Sequence, residues 1–234
     1  MNKLKLVSFI LCIVLQAVFS ACTQSTSTDT ALTVIRDVTD SNITFPKSEE
    51  VQRLLTTAND MWSGVQFRFT FIDDVEYGRE YYLSVPSKKS LLGNELERKK
   101  EVKHFCEQVD STIRLPITSK RDYSVVYPVI IREINRMSED KEDERRIVAV
   151  YSDLLENTNI LSMLNSTQKF DEQLWQSLEK SYGIKLNDNL QGIEVYFVYQ
   201  AKDLTASHQF SAVSKLYKQQ LEKRGAKVTI TANL

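Results

Sequence analysis

Five residues from Ile147 to Tyr151, IVAVY, are apolar without a break. A strand with one wet face alternates apolar and polar residues. An unbroken run of this length fits a strand covered on both faces, as in a parallel sheet between two helix layers. The flanking patterns agree. Ala31–Arg36 reads as a short first strand. Val51, Leu54, Leu55, Ala58, Met61 and Trp62 recur at helical spacing and predict a helix of about 15 residues. Val65, Phe67, Phe69 and Phe71 alternate, and Tyr81–Val85 follows a turn around Gly78, which predicts a hairpin. Further helices are predicted over Leu91–Ile113, over Val126–Met137 with Pro128 near its start, and around Phe170, Leu174, Leu178 and Tyr182. Phe210, Val213, Tyr217 and Leu221 mark a last helix, closed by Gly225. Ile193–Tyr199 and Lys227–Thr231 complete the strands. The order β-α-β-β-α-α-β-α-β-α-β predicts an α/β fold with a doubly wound, mostly parallel six-stranded sheet and an antiparallel edge hairpin. Within the second helix, Arg98-Lys99-Lys100 reads as a solvated face and Cys106 as a buried core thiol.

Composition narrows the function classes. Thirty basic and 31 acidic side chains leave a formal charge of −1. No overall basic field points to nucleic acid. With 42% hydrophobic and 26% charged residues, and only six Gly and four Pro, the chain is neither disordered nor collagen-like.

The first 21 residues carry targeting information. Lys3 and Lys5 precede an apolar run from Leu6 to Phe19, the pattern of a secretory signal. Phe19-Ser20-Ala21-Cys22 resembles the lipobox of bacterial lipoproteins, with Phe19 where Leu or Val is usual. That resemblance implies a lipid on Cys22 and a protein held on the membrane of the bacterial cell envelope. The alternative is a plain secretory peptide cut near Ala21. Residues 22–30 read as a polar tether, leaving 31–234 as one domain. Processing would remove Cys12 and acylate Cys22. Cys106 would then be the sole thiol, with no intramolecular disulfide.

In such a sheet, ligands sit beyond the C-terminal ends of the strands. The first strand ends in Asp37-Val38-Thr39-Asp40-Ser41, a D-x-T-x-S spacing. The IVAVY strand ends in Ser152-Asp153. Ser124 precedes a middle helix after the polar stretch Thr118–Tyr123. Carboxylate and hydroxyl oxygens are the ligands that Mg²⁺ prefers.

This set resembles the von Willebrand factor A domain and its metal-ion-dependent adhesion site, over about residues 31–232. Asp37, Thr39 and Ser41 match the family's first motif position by position. Asp153 matches the aspartate after the fourth strand, and Ser124 stands where the family usually has threonine, with Thr118 and Ser119 in the same loop. The resemblance implies a bound Mg²⁺, Mn²⁺ or Ca²⁺ with one open position for a carboxylate of a protein partner. It implies a non-enzymatic, lipid-anchored binding module that takes a partner in the cell envelope.

Other readings remain open. The same residue types build Asx and ST turns and helix caps. A metal-dependent hydrolase could use the same carboxylates, although no histidine base is evident nearby. A structural envelope lipoprotein could keep a vestigial site. A haloacid-dehalogenase-like phosphatase would need D-x-D, and Thr39 occupies the second position. Asp73, Asp74 and Glu76 read as a charged hairpin turn. His104 and His208 have no partner at zinc spacing. Glu156, Asn157 and Thr158 either shape the site rim or cap the next element.

Globomycin is expected to block processing, and Cys22→Ser to release the domain or leave it uncleaved. Mass spectrometry that finds the wild-type protein soluble and without lipid would contradict the anchor.

Overall fold

The computed structural model describes residues 29–39, 44–56, 61–73, 78–89, 93–116, 123–139, 145–164 and 169–234. Cys22, Ser41, Asp40, Asp74, Glu76, Thr118 and Ser119 lie outside the described residues. Six strands are formed: β1 (Thr30–Asp37), β2 (Val65–Ile72), β3 (Glu80–Val85), β4 (Arg145–Tyr151), β5 (Ile193–Val198) and β6 (Lys227–Thr231). Five helices accompany them among the described residues: α1 (Ser48–Thr56), α2 (Glu95–Ile113), α3 (Tyr127–Glu139), α4 (Glu172–Tyr182) and α5 (Leu204–Glu222). The strands make one sheet in the order β3-β2-β1-β4-β5-β6. Every neighbouring pair is parallel except β2 with β3. The α/β class, the six strands and the antiparallel edge hairpin are as the alternating patterns predict.

The sheet separates two apolar layers. Along β1, Ala31 and Ile35 point to the layer built with α3, α4 and α5. Leu32 and Val34 point to the layer built with α1 and α2. The IVAVY run divides the same way: Val148 and Val150 join the first layer, Ile147, Ala149 and Tyr151 the second. Every residue of β1 is buried, so both faces of the central strands are dry, as the unbroken apolar run requires. β2 instead alternates. Phe67, Phe69 and Phe71 face α2, while Arg68 on the other face pairs with Glu80 of β3 at 2.9 Å.

Several element boundaries differ from the sequence expectation. α1 has nine residues, and Met61 and Trp62 fall in a turn instead. There the Trp62 ring packs against Gly93, where a Cβ would collide with it. The apolar spacing at 61–62 thus serves a turn contact, not a helix face. α2 starts at Glu95, because Asn94 Oδ1 accepts from the Leu96 and Glu97 amides and caps it. α5 starts at Leu204, well before its first core residue, because Asp203 Oδ1 caps the Ala206 amide. β1 includes Thr30, paired with Val65, so the folded sheet begins one residue before 31.

Two side chains are corrected. Cys106 is half-buried, packed against the α1–α2 core layer rather than enclosed in it; burial and neighbouring Glu107 push its pKa up. Arg98 is 1% exposed, not part of a solvated face. Its guanidinium donates to the carbonyls of Met61 (2.6 Å), Pro86 (2.9 Å) and Ser63 (2.7 Å). It thereby pins the start of α2 to the segments entering β2 and leaving β3. Lys99, at 60% side-chain exposure, does face solvent.

Removing Arg98 takes the donors from three carbonyls, that of Ser63 buried and those of Met61 and Pro86 partly so. Arg98→Met is expected to lower the unfolding free energy by about 3 kcal/mol, read by urea denaturation, with Lys99→Ala leaving the midpoint unchanged. Equal, small effects of the two substitutions would contradict this role.

Candidate functional site

Because β1 and β4 are adjacent and parallel, the residues following them share one sheet edge. Arg36 pairs with Tyr151, so Asp37 and Ser152 come next in register. Asp37 closes β1 at 2% exposure. Its Oδ1 accepts from the Thr39 amide at 3.0 Å and the Thr39 hydroxyl at 2.7 Å. Its Oδ2 accepts from the Ser152 hydroxyl at 2.7 Å. Thr39 Oγ1 lies 3.2 Å from Ser124 Oγ, although 85 residues separate them. The structure therefore gathers Asp37, Thr39 and Ser124 at one point and adds Ser152.

Asp153 belongs to the same edge but is engaged locally. Its Oδ1 accepts from the Leu155 amide at 2.9 Å. Ser152 Oγ likewise accepts from the Leu154 amide at 2.9 Å. These two bonds hold a tight turn in which Leu154 has φ 64°. Among the described residues, Leu154 alone among non-glycines takes a positive φ. A buried leucine in the left-handed region carries roughly 1–2 kcal/mol of strain. The β4 exit is thus bent sharply and held there by its own Ser and Asp.

Ser124 is placed by backbone. Its amide and carbonyl pair with Asn157 at 2.8 and 3.0 Å, while the neighbouring Val125 amide donates to the Asp73 carbonyl at 2.9 Å. Next to Asn157, Glu156 is wholly buried. Its Oε2 accepts from the Val126 and Tyr127 amides at 2.9 and 2.8 Å, and its Oε1 from the Tyr182 hydroxyl. Glu156 therefore caps α3, the helix before it in the chain, not the element after it.

Among the described residues no Lys or Arg pairs with Glu156. Burial is the main reason its pKa rises to about 7, helped by the nearby Asp37 charge and opposed by its three hydrogen-bond donors. Arg36, one residue before Asp37, donates instead to the Ile113 and Leu115 carbonyls at the end of α2.

The donor set was legible in part. Sequence reasoning singled out Asp37, Thr39 and Ser124, and their side chains meet. It missed the roles of Ser152 and Glu156. Sheet register, which puts Ser152 beside Asp37, is the signal that finds the first. Glu156 carried only the weak signal of a second carboxylate, after two leucines, in the DLLE run.

The gathered oxygens are hard ligands, which suits Mg²⁺ or Mn²⁺. A hydroxyl that donates its proton to Asp37 keeps lone pairs for a cation. Among the described residues no group of three or more His, Cys, Asp or Glu could hold a metal. An ion here would therefore depend on hydroxyls and waters.

No protein-family model matches the chain, and no curated protein matches it. Two solved structures of the pilus adhesin SpaC from Lactobacillus rhamnosus GG are similar in shape. One has 12% identity and a TM-score of 0.39, covering 89% of this chain and 25% of the adhesin. The other, an open conformation, has 10% identity and a TM-score of 0.38, covering 89% and 29%. The chain thus spans a quarter to under a third of the length of these adhesins. Among the described residues no helix is long and apolar enough to cross a membrane.

The Glu156 shift fixes a sign. The folded state keeps a proton that the unfolded chain releases near pH 4.5. Stability from this group is full below that pH and is lost as pH rises toward about 7, by roughly 3 kcal/mol in total. Relative to the wild type, Glu156→Gln is expected to gain that amount between pH 4.5 and pH 7.5, measured by urea unfolding. A difference that stays flat with pH would contradict an ionisable, strained Glu156.

Proposed function

We propose that this chain is a lipid-anchored binding module of the bacterial cell envelope. In this reading, a divalent cation at the C-terminal sheet edge engages a carboxylate of a partner protein. Asp37, Thr39 and Ser124 would hold the ion, with Ser41 and Asp153 completing the set, directly or through water. The ion would supply positive charge and an open coordination position, while the chain's own residues orient the oxygens. The single observation that supports this most is the meeting of the Thr39 and Ser124 hydroxyls, 3.2 Å apart, beside buried Asp37. Two loops far apart in sequence converge there on polar atoms that the apolar core does not need. The reading is one of binding rather than catalysis. Cys22 would supply the anchor, and the polar residues after it the reach from the membrane.

One observation favours a second reading, a purely structural knot. Both Asp37 oxygens already accept hydrogen bonds from within the fold. In that case the same residues tie the β1 and β4 exits together, and the protein is a structural envelope component.

Titration of Mg²⁺ or Mn²⁺ into the domain separates the two. A bound ion stabilises the native state by mass action, so Tm should climb with concentration above Kd. Asp37→Ala is expected to abolish that rise while leaving the far-UV spectrum intact. A wild-type Tm that ignores millimolar Mg²⁺ and Mn²⁺ favours the knot. Where the rise is present, envelope pull-downs with and without a chelator are expected to differ in a retained protein.

A further inference from the structure

Glu156 has no part in the site as read above, yet it is wholly buried and held by three donors beside it. A wholly buried carboxyl, with no basic partner among the described residues, is costly to keep. Three donors meet it: two backbone amides at the start of α3 and the Tyr182 hydroxyl of α4. The first amides of a helix have no partner within the helix, and Glu156 satisfies two of them at once. The adjacent Asn157 pairs its backbone with Ser124. Residues 156–157 are thus zipped onto 124–127 by four hydrogen bonds, and Ser124 lies at the end of that zipper, against Thr39.

Tyr182 orients the carboxyl from the far side. Its ring stacks on Tyr127 at 6.1 Å between centroids. Its hydroxyl also lies 3.4 Å from Thr158 Oγ1, which accepts the Ile160 and Leu161 amides and closes the turn they share. Tyr217 of α5 is fully buried, its hydroxyl has no hydrogen-bond partner among the described residues, and it lies within electrostatic reach of Glu156.

We propose that Glu156, oriented by Tyr182, is the positioning residue of the Asp37–Thr39–Ser124 site: it holds Ser124 in register with Thr39 and couples the site to α4. The inference rests on the metal-site reading for its ligand, whereas its mechanical part concerns the chain alone. Loss of the carboxyl frees the Val126 and Tyr127 amides and lets the Ser124 loop drift from Thr39. A side chain behind the ligand shell then governs affinity without touching the ion.

The test uses Mn²⁺ as probe, with affinity measured by electron paramagnetic resonance and amide exchange by NMR. Glu156→Ala is expected to weaken Mn²⁺ binding about tenfold or more, the usual effect of losing an outer-shell partner, and to speed exchange at Val126 and Tyr127. Glu156→Gln still offers an oxygen to both amides and should keep both readouts within about threefold of wild type. Tyr182→Phe, which removes only a hydroxyl, should weaken Mn²⁺ measurably. Leu178→Ala, a buried α4 substitution that removes no hydrogen bond of the network, should lower Tm without moving affinity. Leu178→Ala weakening Mn²⁺ as much as Glu156→Ala would overturn the proposal, because the role would then be general stability. Unchanged affinity in Glu156→Ala would also overturn it. Should wild-type protein bind no Mn²⁺, the metal reading falls on its own, and unchanged exchange at Val126 and Tyr127 in Glu156→Ala would overturn the positioning role.

Discussion

The parallel pairing of β1 with β4 is the contact on which the rest of the molecule depends. All eight residues of β1 are buried, and β4 beside it is apolar from Ile147 to Tyr151. Neither strand has a face that can be left to water, so helices must cover both sides. A parallel pair also carries its two exits to the same edge. Register then decides chemistry: with Arg36 opposite Tyr151, Asp37 and Ser152 become neighbours. A one-residue slip would send Asp37 to the other face and bring Arg36 to its place.

Two buried carboxyl groups follow from that convergence, and neutral donors meet both. Asp37 is satisfied by one amide and two hydroxyls. Glu156 is satisfied by two amides and a phenol. Burial penalises the charged form of Glu156 more than its three donors favour it, and the Asp37 carboxylate nearby adds to the penalty. The rise of the Glu156 pKa to about 7 is the result. A divalent ion on the Asp37 side would offset the same repulsion that protonation of Glu156 relieves.

Patterns in the sequence carried the architecture far and the site only partly. Periodicity placed the strands well, because alternation and unbroken apolar runs reflect which faces are dry. It overextended α1, since Trp62 is apolar for the sake of a turn contact at Gly93. It also read Arg98 as solvated, because a charged residue within a basic run gives no sign of the three carbonyls that enclose it. At the site, the D-x-T spacing was informative, since a short loop turns both side chains to one side. Ser152 was visible only through register, and Glu156 only through the three-dimensional position of the α3 amides. Both act across elements that lie apart in sequence, beyond the range of local pattern.

The central claim is that the oxygens of Asp37, Thr39 and Ser124 surround a divalent cation. Crystals grown with Mn²⁺ and measured for anomalous scattering test it directly. A bound ion gives a peak within about 2.2 Å of the Thr39 and Ser124 hydroxyl oxygens, lost in Asp37→Ala crystals. A map without that peak, in which Thr39 and Ser124 remain bonded to each other at 3.2 Å as here, would contradict it.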